Sequence, residues 1–234
     1  MSFVSRVKWL RGSLAESAGT VVFGMEDGTV SIFGLIFGVA ATTSNAGTVL
    51  IAGASGAVAA AVSMMAGVFL DVETTRDEAK AKRAKLQFAL ATEAASVCAE
   101  LPGQLAAAGL TQRQSAALTG AVRHDREALD GLLLALHGSP ETPQSPWVQA
   151  LWMLIADFAA AAVPILPFVF LHVAAARLVS AAVTIALLIA LGVGRGRIAG
   201  SAVTRTVLET VAVGIAAALA GVAIGVLINH TFTG

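Results

Sequence analysis

Two adjacent carboxylates, Glu26 and Asp27, lie in an apolar stretch at residues 18–43 and are its only charged residues. A carboxylate at membrane depth is costly, so it usually faces a pathway, a cation or a partner. We therefore expect Asp27 to bind a cation, with Glu26 as a further ligand. The structural alternative for Asp27 is a hydrogen-bonded residue near a helix end at the membrane interface.

A second set of ligand side chains lies near the end of the next apolar run. Met64, Val68 and Asp71 are spaced i, i+4 and i+7, so they share one helix face. If a tight turn at residues 44–47 makes the two runs antiparallel, Met64 lies at about the depth of Asp27. Carboxylates with a thioether suit ferrous iron, manganese or another first-row metal better than magnesium or calcium. Packing is the alternative for a methionine. Neighbouring side chains expected to support these ligands are Ser31, Ser63 and Met65.

Five apolar runs must position these residues. The chain is 56% hydrophobic and only 13% charged, which a soluble domain of this length does not require. About 20 apolar residues cross a bilayer as a helix. Apolar residues are continuous in these runs, not alternating, so helices are favoured over a β-barrel. We predict an all-α fold with five transmembrane helices, at residues 18–43, 48–70, 147–171, 178–194 and 206–228.

The basic residues give this membrane protein an orientation. With the N-terminus in the cytoplasm and five spans, 14 of the 15 Lys and Arg lie inside, and Arg177 lies outside. This distribution follows the positive-inside rule. The expected location is the bacterial inner membrane, with the C-terminus outside. A formal net charge of zero provides no attraction to nucleic acid.

Charge and hydropathy divide the chain into four parts. Residues 1–17 form an amphipathic N-terminal segment, 18–70 the first two spans, 71–146 a charged cytoplasmic insert, and 147–234 the last three spans. The insert is predicted to contain three short helices. Pro102-Gly103 is expected to end the first, and a capping box at residues 111–114 to open the second. Because so few residues cannot form a large hydrophobic core alone, we expect the insert to pair with its counterpart in a second chain.

Three segments resemble the vacuolar iron transporter family. Gly24-Met-Glu-Asp-Gly-Thr-Val-Ser31 resembles the Asp-Gly-x-Val-Ser signature of its first span. Residues 60–77 resemble its second-span motif, and residues 145–168 its third span with Pro-x-x-Pro. The resemblance implies a homodimer that exchanges divalent metal, mainly ferrous iron, for protons along a pathway between the two first spans. Asp27 and Met64 occupy positions that the family uses for metal.

The sequence also departs from the family. Val68 stands where the family has a glutamate, and Asp71, one turn further on, is the expected substitute. The family's insert often carries clustered glutamates that collect metal, whereas residues 132–140 here lack an acidic pair. The weak candidates in the insert are Glu93, Glu100 and His137, for which a solvated surface is the favoured alternative.

The predicted function is therefore secondary transport of a divalent transition metal, with iron or manganese as substrate and no permanently bound cofactor. Expected partners are membrane lipid and a second copy, bound through the first span and the insert. The alternatives are a non-transporting membrane scaffold or sensor of the same fold, and a transporter of a different substrate. No nucleophile elbow, phosphate loop or zinc-binding histidine pair is present, so an enzyme is not expected. Asp27 and Asp157 also lack the sequence context of an intramembrane aspartyl protease.

Overall fold

The computed structural model describes residues 3–92, 94–123, 125–136 and 145–232. These residues form ten helices and no strand, as the all-α prediction required. The helices are α1 (Phe3–Glu16), α2 (Ala18–Thr42), α3 (Ala46–Thr92), α4 (Ala94–Ala107), α5 (Gln112–Val122), α6 (Arg126–Leu136), α7 (Pro146–Ile165), α8 (Pro167–Phe170), α9 (Val173–Ile198) and α10 (Val203–Phe232).

Five of these helices, α2, α3, α7, α9 and α10, are long and apolar enough to cross a membrane, which confirms the predicted number of spans. The fourth is longer than predicted, because α9 has 26 residues and includes Arg177, Arg195 and Arg197. Long basic side chains can place their charged ends at the membrane surface while the helix continues, so charge alone underestimated its length.

The chain divides into two compact units. The first comprises Met1–Leu70 and Gln144–Gly234, and the second comprises Asp71–Pro143. The boundary falls within α3. The cytoplasmic placement of the second unit stays a prediction.

Helix α2 is the centre of the first unit and packs against α7, α9 and α10. Two pairs of glycines make this packing close. A Cβ atom added at Gly24 would lie 2.5 Å from the Met153 sulfur of α7, and one added at Gly34 would lie 2.9 Å from the Ala217 carbonyl oxygen of α10. Gly28 and Gly38 face the same two helices. Small residues thus let α2 approach its neighbours closely within the chain.

Polar and proline residues set the ends of the spans. The Asn45 side chain accepts a hydrogen bond from the Gly47 N–H at 2.8 Å and opens α3 after a short turn. Pro164 and Pro167 flank the break between α7 and α8, since proline disfavours a continuous helix. Ser180 of α9 donates a hydrogen bond to the Pro164 carbonyl oxygen at 2.8 Å. At the other end of α7, Trp152 donates a hydrogen bond to Ser13 of α1.

The second unit has a small leucine core. Its buried members are Leu90, Leu101, Leu105, Leu129 and Leu133, and Cys98 packs at the edge.

The helices of this unit begin and end at recognisable signals. Thr111 and Gln114 form the predicted capping box. The prediction that Pro102-Gly103 ends a helix was wrong, because Pro102 lies inside α4. Burial of Leu101 and Leu105 holds the helix on both sides of the proline. α4 ends instead at Ala107, just before Gly109, whose φ of +95° suits glycine, and the following Leu110 N–H donates a hydrogen bond to the Leu105 carbonyl oxygen.

Candidate metal site in the first span

Asp27 borders a cavity of about 420 Å³ in the first unit. The cavity lies between the first, fourth and fifth spans. Its lining is Phe23, Glu26, Asp27 and Val30 of α2, Arg195 of α9, and Glu209, Thr210 and Val213 of α10. A larger cavity of about 480 Å³ between α2 and α10 has no charged side chain in its described lining. The smaller cavity is therefore the better site for a cation.

Glu26 is already paired with a cation of its own chain. Its carboxylate accepts a hydrogen bond from Arg195 Nη1 at 3.1 Å and another from the Thr210 hydroxyl at 3.1 Å. The same Arg195 reaches Glu209 at 3.0 Å through Nη2, and Arg205 reaches Glu209 at 2.8 Å. Glu26 can hold a metal ion only if Arg195 moves away, so its role as a ligand stays a prediction.

Asp27 is different from its neighbour. Its side chain is half-buried, and it has no hydrogen bond or ion pair among the residues that the structure describes. Ser31, one turn further along α2, is exposed. The carboxylate of Asp27 is thus available to a cation that enters the cavity.

A second carboxylate, Asp157 of α7, lies beside this site. Asp157 is completely buried, and neither of its carboxylate oxygens has a hydrogen-bond partner in the described part of the chain. A Cβ atom added at Gly28 would lie 2.8 Å from the Asp157 Oδ1 atom. Gly28 is the residue that follows Asp27, so the Asp157 carboxylate lies against the backbone next to Asp27. Asp157 was not among the predicted ligands, although it is the only charged residue of the apolar run 147–171.

The predicted ligands of α3 have less definite surroundings. Met64, Met65 and Val68 are half-buried, whereas Ser63 and Asp71 are exposed. The described lining of the cavity at Asp27 includes no residue of α3. The roles of Met64 and Asp71 in metal binding therefore stay predictions.

In the second unit, Glu100 is exposed on α4, and Glu93 and His137 lie outside the described residues. A cavity of about 390 Å³ is lined by Gln87 and Leu90 of α3 and by Glu127 and Asp130 of α6. Glu127 and Asp130 lie just before residues 132–140, the stretch that lacks an acidic pair. Within the described ranges, no group of three or more His, Cys, Asp and Glu side chains is arranged to hold a metal ion.

Five apolar helices with ionisable groups inside them define a multi-pass membrane protein, and such groups mark sites of ion passage or proton transfer. The chain belongs to the VIT (vacuolar iron transporter) family, whose model matches residues 18–226. The resemblance carried by the three motifs is thereby confirmed, and membership indicates a metal ion transporter. No curated protein matches the chain.

Proposed function

We propose that this protein is a secondary transporter that exchanges a divalent transition metal, ferrous iron or manganese, for protons. The observation that carries the proposal is Asp27, a carboxylate of the first span that borders a cavity and has no ion-pair partner among the described residues. Glu26, next to it, is neutralised by Arg195. One of two adjacent carboxylates is thus left free for an external cation.

The exchange follows from the chemistry of a carboxyl group. A divalent cation favours the charged form of a carboxyl group and displaces its proton. A metal ion that reaches Asp27 from one side of the membrane therefore releases a proton, and the return of a proton releases the metal ion. The two fluxes are coupled at one residue.

The pathway is proposed to run between two copies of the chain. The glycine faces of α2 are occupied by α7 and α10, whereas Phe23, Ser31 and Leu35 of the same helix are exposed. These three residues provide the surface for a second first span. The N-terminus and the second unit are proposed to lie in the cytoplasm, because that orientation follows the positive-inside rule.

Transport by reconstituted protein tests this function. The full chain is placed in liposomes that contain a pH-sensitive dye and is offered Fe²⁺, Mn²⁺, Mg²⁺ and Ca²⁺ in turn. We expect uptake of Fe²⁺ or Mn²⁺ with opposite proton movement, and much less uptake of Mg²⁺ and Ca²⁺. Protein-free liposomes are the control. Absence of uptake for every metal would favour the scaffold or sensor, and metal uptake without proton movement would disprove the exchange.

A further inference from the structure

The burial of the Asp157 carboxylate is unfavourable while its charge is unbalanced, and a transported cation would balance that charge. A completely buried ionised carboxylate without a hydrogen-bond partner is costly, and proteins resolve this cost by protonating the group, by pairing the charge or by binding a cation. Arg195, the cation that lines the adjacent cavity, is held by Glu26 and Glu209. We infer that Asp157 is a second ligand of the transported metal ion, which it holds together with Asp27. This inference rests on the proposed function.

The contact between α2 and α7 places the Asp157 carboxylate against the backbone next to Asp27. Gly28 follows Asp27 in the chain and has no side chain to separate α2 from Asp157. The Asp157 Oδ1 atom lies 2.8 Å from the position that a Cβ atom of residue 28 would occupy, so it is directed at the backbone next to Asp27. Asp27 belongs to the described lining of the cavity and Asp157 does not, so a cation in the cavity would meet Asp27 first.

Charge favours one divalent ion at this pair. Two ionised carboxylates that are close together in a poorly screened site repel each other. A divalent cation between them balances both charges, which makes the occupied site formally neutral inside the membrane. Carboxylate oxygens suit manganese, and they also bind ferrous iron.

The inferred ligand also accounts for the departure at Val68. Residues 60–77 resemble a family motif that has a glutamate where this chain has valine. Asp157 supplies a carboxylate from the third span instead of the second. The pair Asp27 and Asp157 is thus complete within the first unit of one chain.

Equilibrium binding of Mn²⁺ to the purified full chain tests the inference, with free Mn²⁺ measured by electron paramagnetic resonance. We expect Asp157→Asn to weaken binding by about tenfold or more, as loss of a group at a metal site typically does. The matched control is Thr184→Val, which alters a buried hydroxyl of α9 that has no hydrogen-bond partner among the described residues. The control should bind Mn²⁺ as the parent does.

Replacing the ligand atom at position 157 distinguishes a residue that contacts the metal from one that only supports the fold. In a Cys98→Ala background, Asp157→Cys replaces a hard oxygen by a soft sulfur, so binding should shift from Mn²⁺ towards Cd²⁺ relative to the protein that carries Cys98→Ala alone. This comparison also decides the matter if Asp157→Asn fails to fold. An unchanged preference between the two metals would overturn the inference.

The variants at Asp27 distinguish the two proposals. If Asp27→Asn loses Mn²⁺ binding while Asp157→Asn binds as the parent does, Asp157 is not a ligand and the proposed function stands. If Asp27→Asn binds Mn²⁺ and transports as the parent does, the metal site lies elsewhere, and the role of Asp27 in the proposed exchange fails together with the pair. Loss of binding in both variants, with the control unchanged, supports the pair.

Discussion

Glu26 and Asp27 are adjacent in the chain, yet within the described part of the chain only Glu26 has a hydrogen-bonded partner. Successive residues of a helix point about 100° apart, so the two carboxylates of α2 have different surroundings. Glu26 is buried against Arg195 and Thr210, whereas Asp27 has no such partner among the described residues. The sequence therefore identifies a carboxylate at membrane depth as unusual, whereas the neighbouring helices determine what that carboxylate can bind.

The sequence revealed Asp27 but not the partner of Glu26. The depth of a charged residue can be read from the surrounding apolar run. Glu26 and Arg195, however, are 169 positions apart, and no local spacing relates them. Asp157 was visible as a charge in an apolar run, but its lack of a partner and its closeness to Gly28 require the packed helices.

Removal of the Arg195 guanidinium should destabilise the first unit. Arg195→Gln leaves the buried Glu26 carboxylate without its cation, at a cost of about 1–3 kcal/mol. The control is Arg205→Gln, since Arg205 is 80% exposed and its pair with Glu209 lies at the surface, where ion pairs contribute little to stability. Thermal unfolding in detergent should give a clearly lower Tm for the first variant than for the second. Equal values would show that Arg195 does not stabilise the first unit through Glu26.

At the scale of elements, hydropathy and proline predicted more than glycine did. Continuous apolar runs identified all five spans, and Pro164 with Pro167 located the break after α7. The two Gly-x-x-x-Gly pairs of α2 indicated close packing without naming the partner, since small residues suit contacts within and between chains equally. The helix end predicted at Pro102 was wrong because local helix propensity does not reveal the leucine core that stabilises α4.

A side chain at Gly221 should separate α2 from α10. A Cβ atom there would overlap the Gly34 carbonyl oxygen, which is backbone and cannot rotate away. Gly221→Val is therefore expected to cost about 1–3 kcal/mol or more. Gly67→Val is the matched control, because a Cβ atom at Gly67 meets no atom within 4 Å. Size-exclusion chromatography after heating should show much less folded protein for Gly221→Val, and similar losses for both would contradict the described contact.

At the scale of the whole molecule, orientation and assembly rest on charge and surface. The 14-to-1 distribution of basic residues predicts which side of the membrane each loop occupies. A second copy is expected on the side of α2 that its own chain leaves open. Composition could indicate orientation because charge crosses membranes poorly, whereas a contact between chains has no comparable compositional signal.

The C-terminus should lie outside the cell. In a Cys98→Ala background, a cysteine introduced by Thr231→Cys near the end of α10 should react with a membrane-impermeant thiol reagent added to intact cells. A cysteine introduced by Asp77→Cys, in the second unit, should react only after lysis. The reverse labelling pattern would invert the proposed topology.

A dimer through the first span should cross-link with a helical pattern. In the same background, cysteines at Phe23 and Ser31, which are exposed on α2, should form disulfide-linked dimers in membranes. Cysteines at Ile32 and Ile36 should not, because both side chains are buried within the chain. A monomeric mass in mild lipid-like detergent, with no cross-link at the exposed positions, would argue against the dimer.

The most direct test of the central claim is metal uptake by Asp27→Asn in liposomes. Asparagine keeps the shape of the side chain and removes the charge that binds the cation. The control is Asp77→Asn, which removes an exposed carboxylate paired with Lys80 at 2.8 Å in the second unit. Asp27→Asn should reduce Fe²⁺ or Mn²⁺ uptake and the accompanying proton movement to the level of protein-free liposomes, while Asp77→Asn transports as the parent does. Uptake by Asp27→Asn equal to that of the parent would contradict the claim that the metal ion crosses the membrane by binding Asp27.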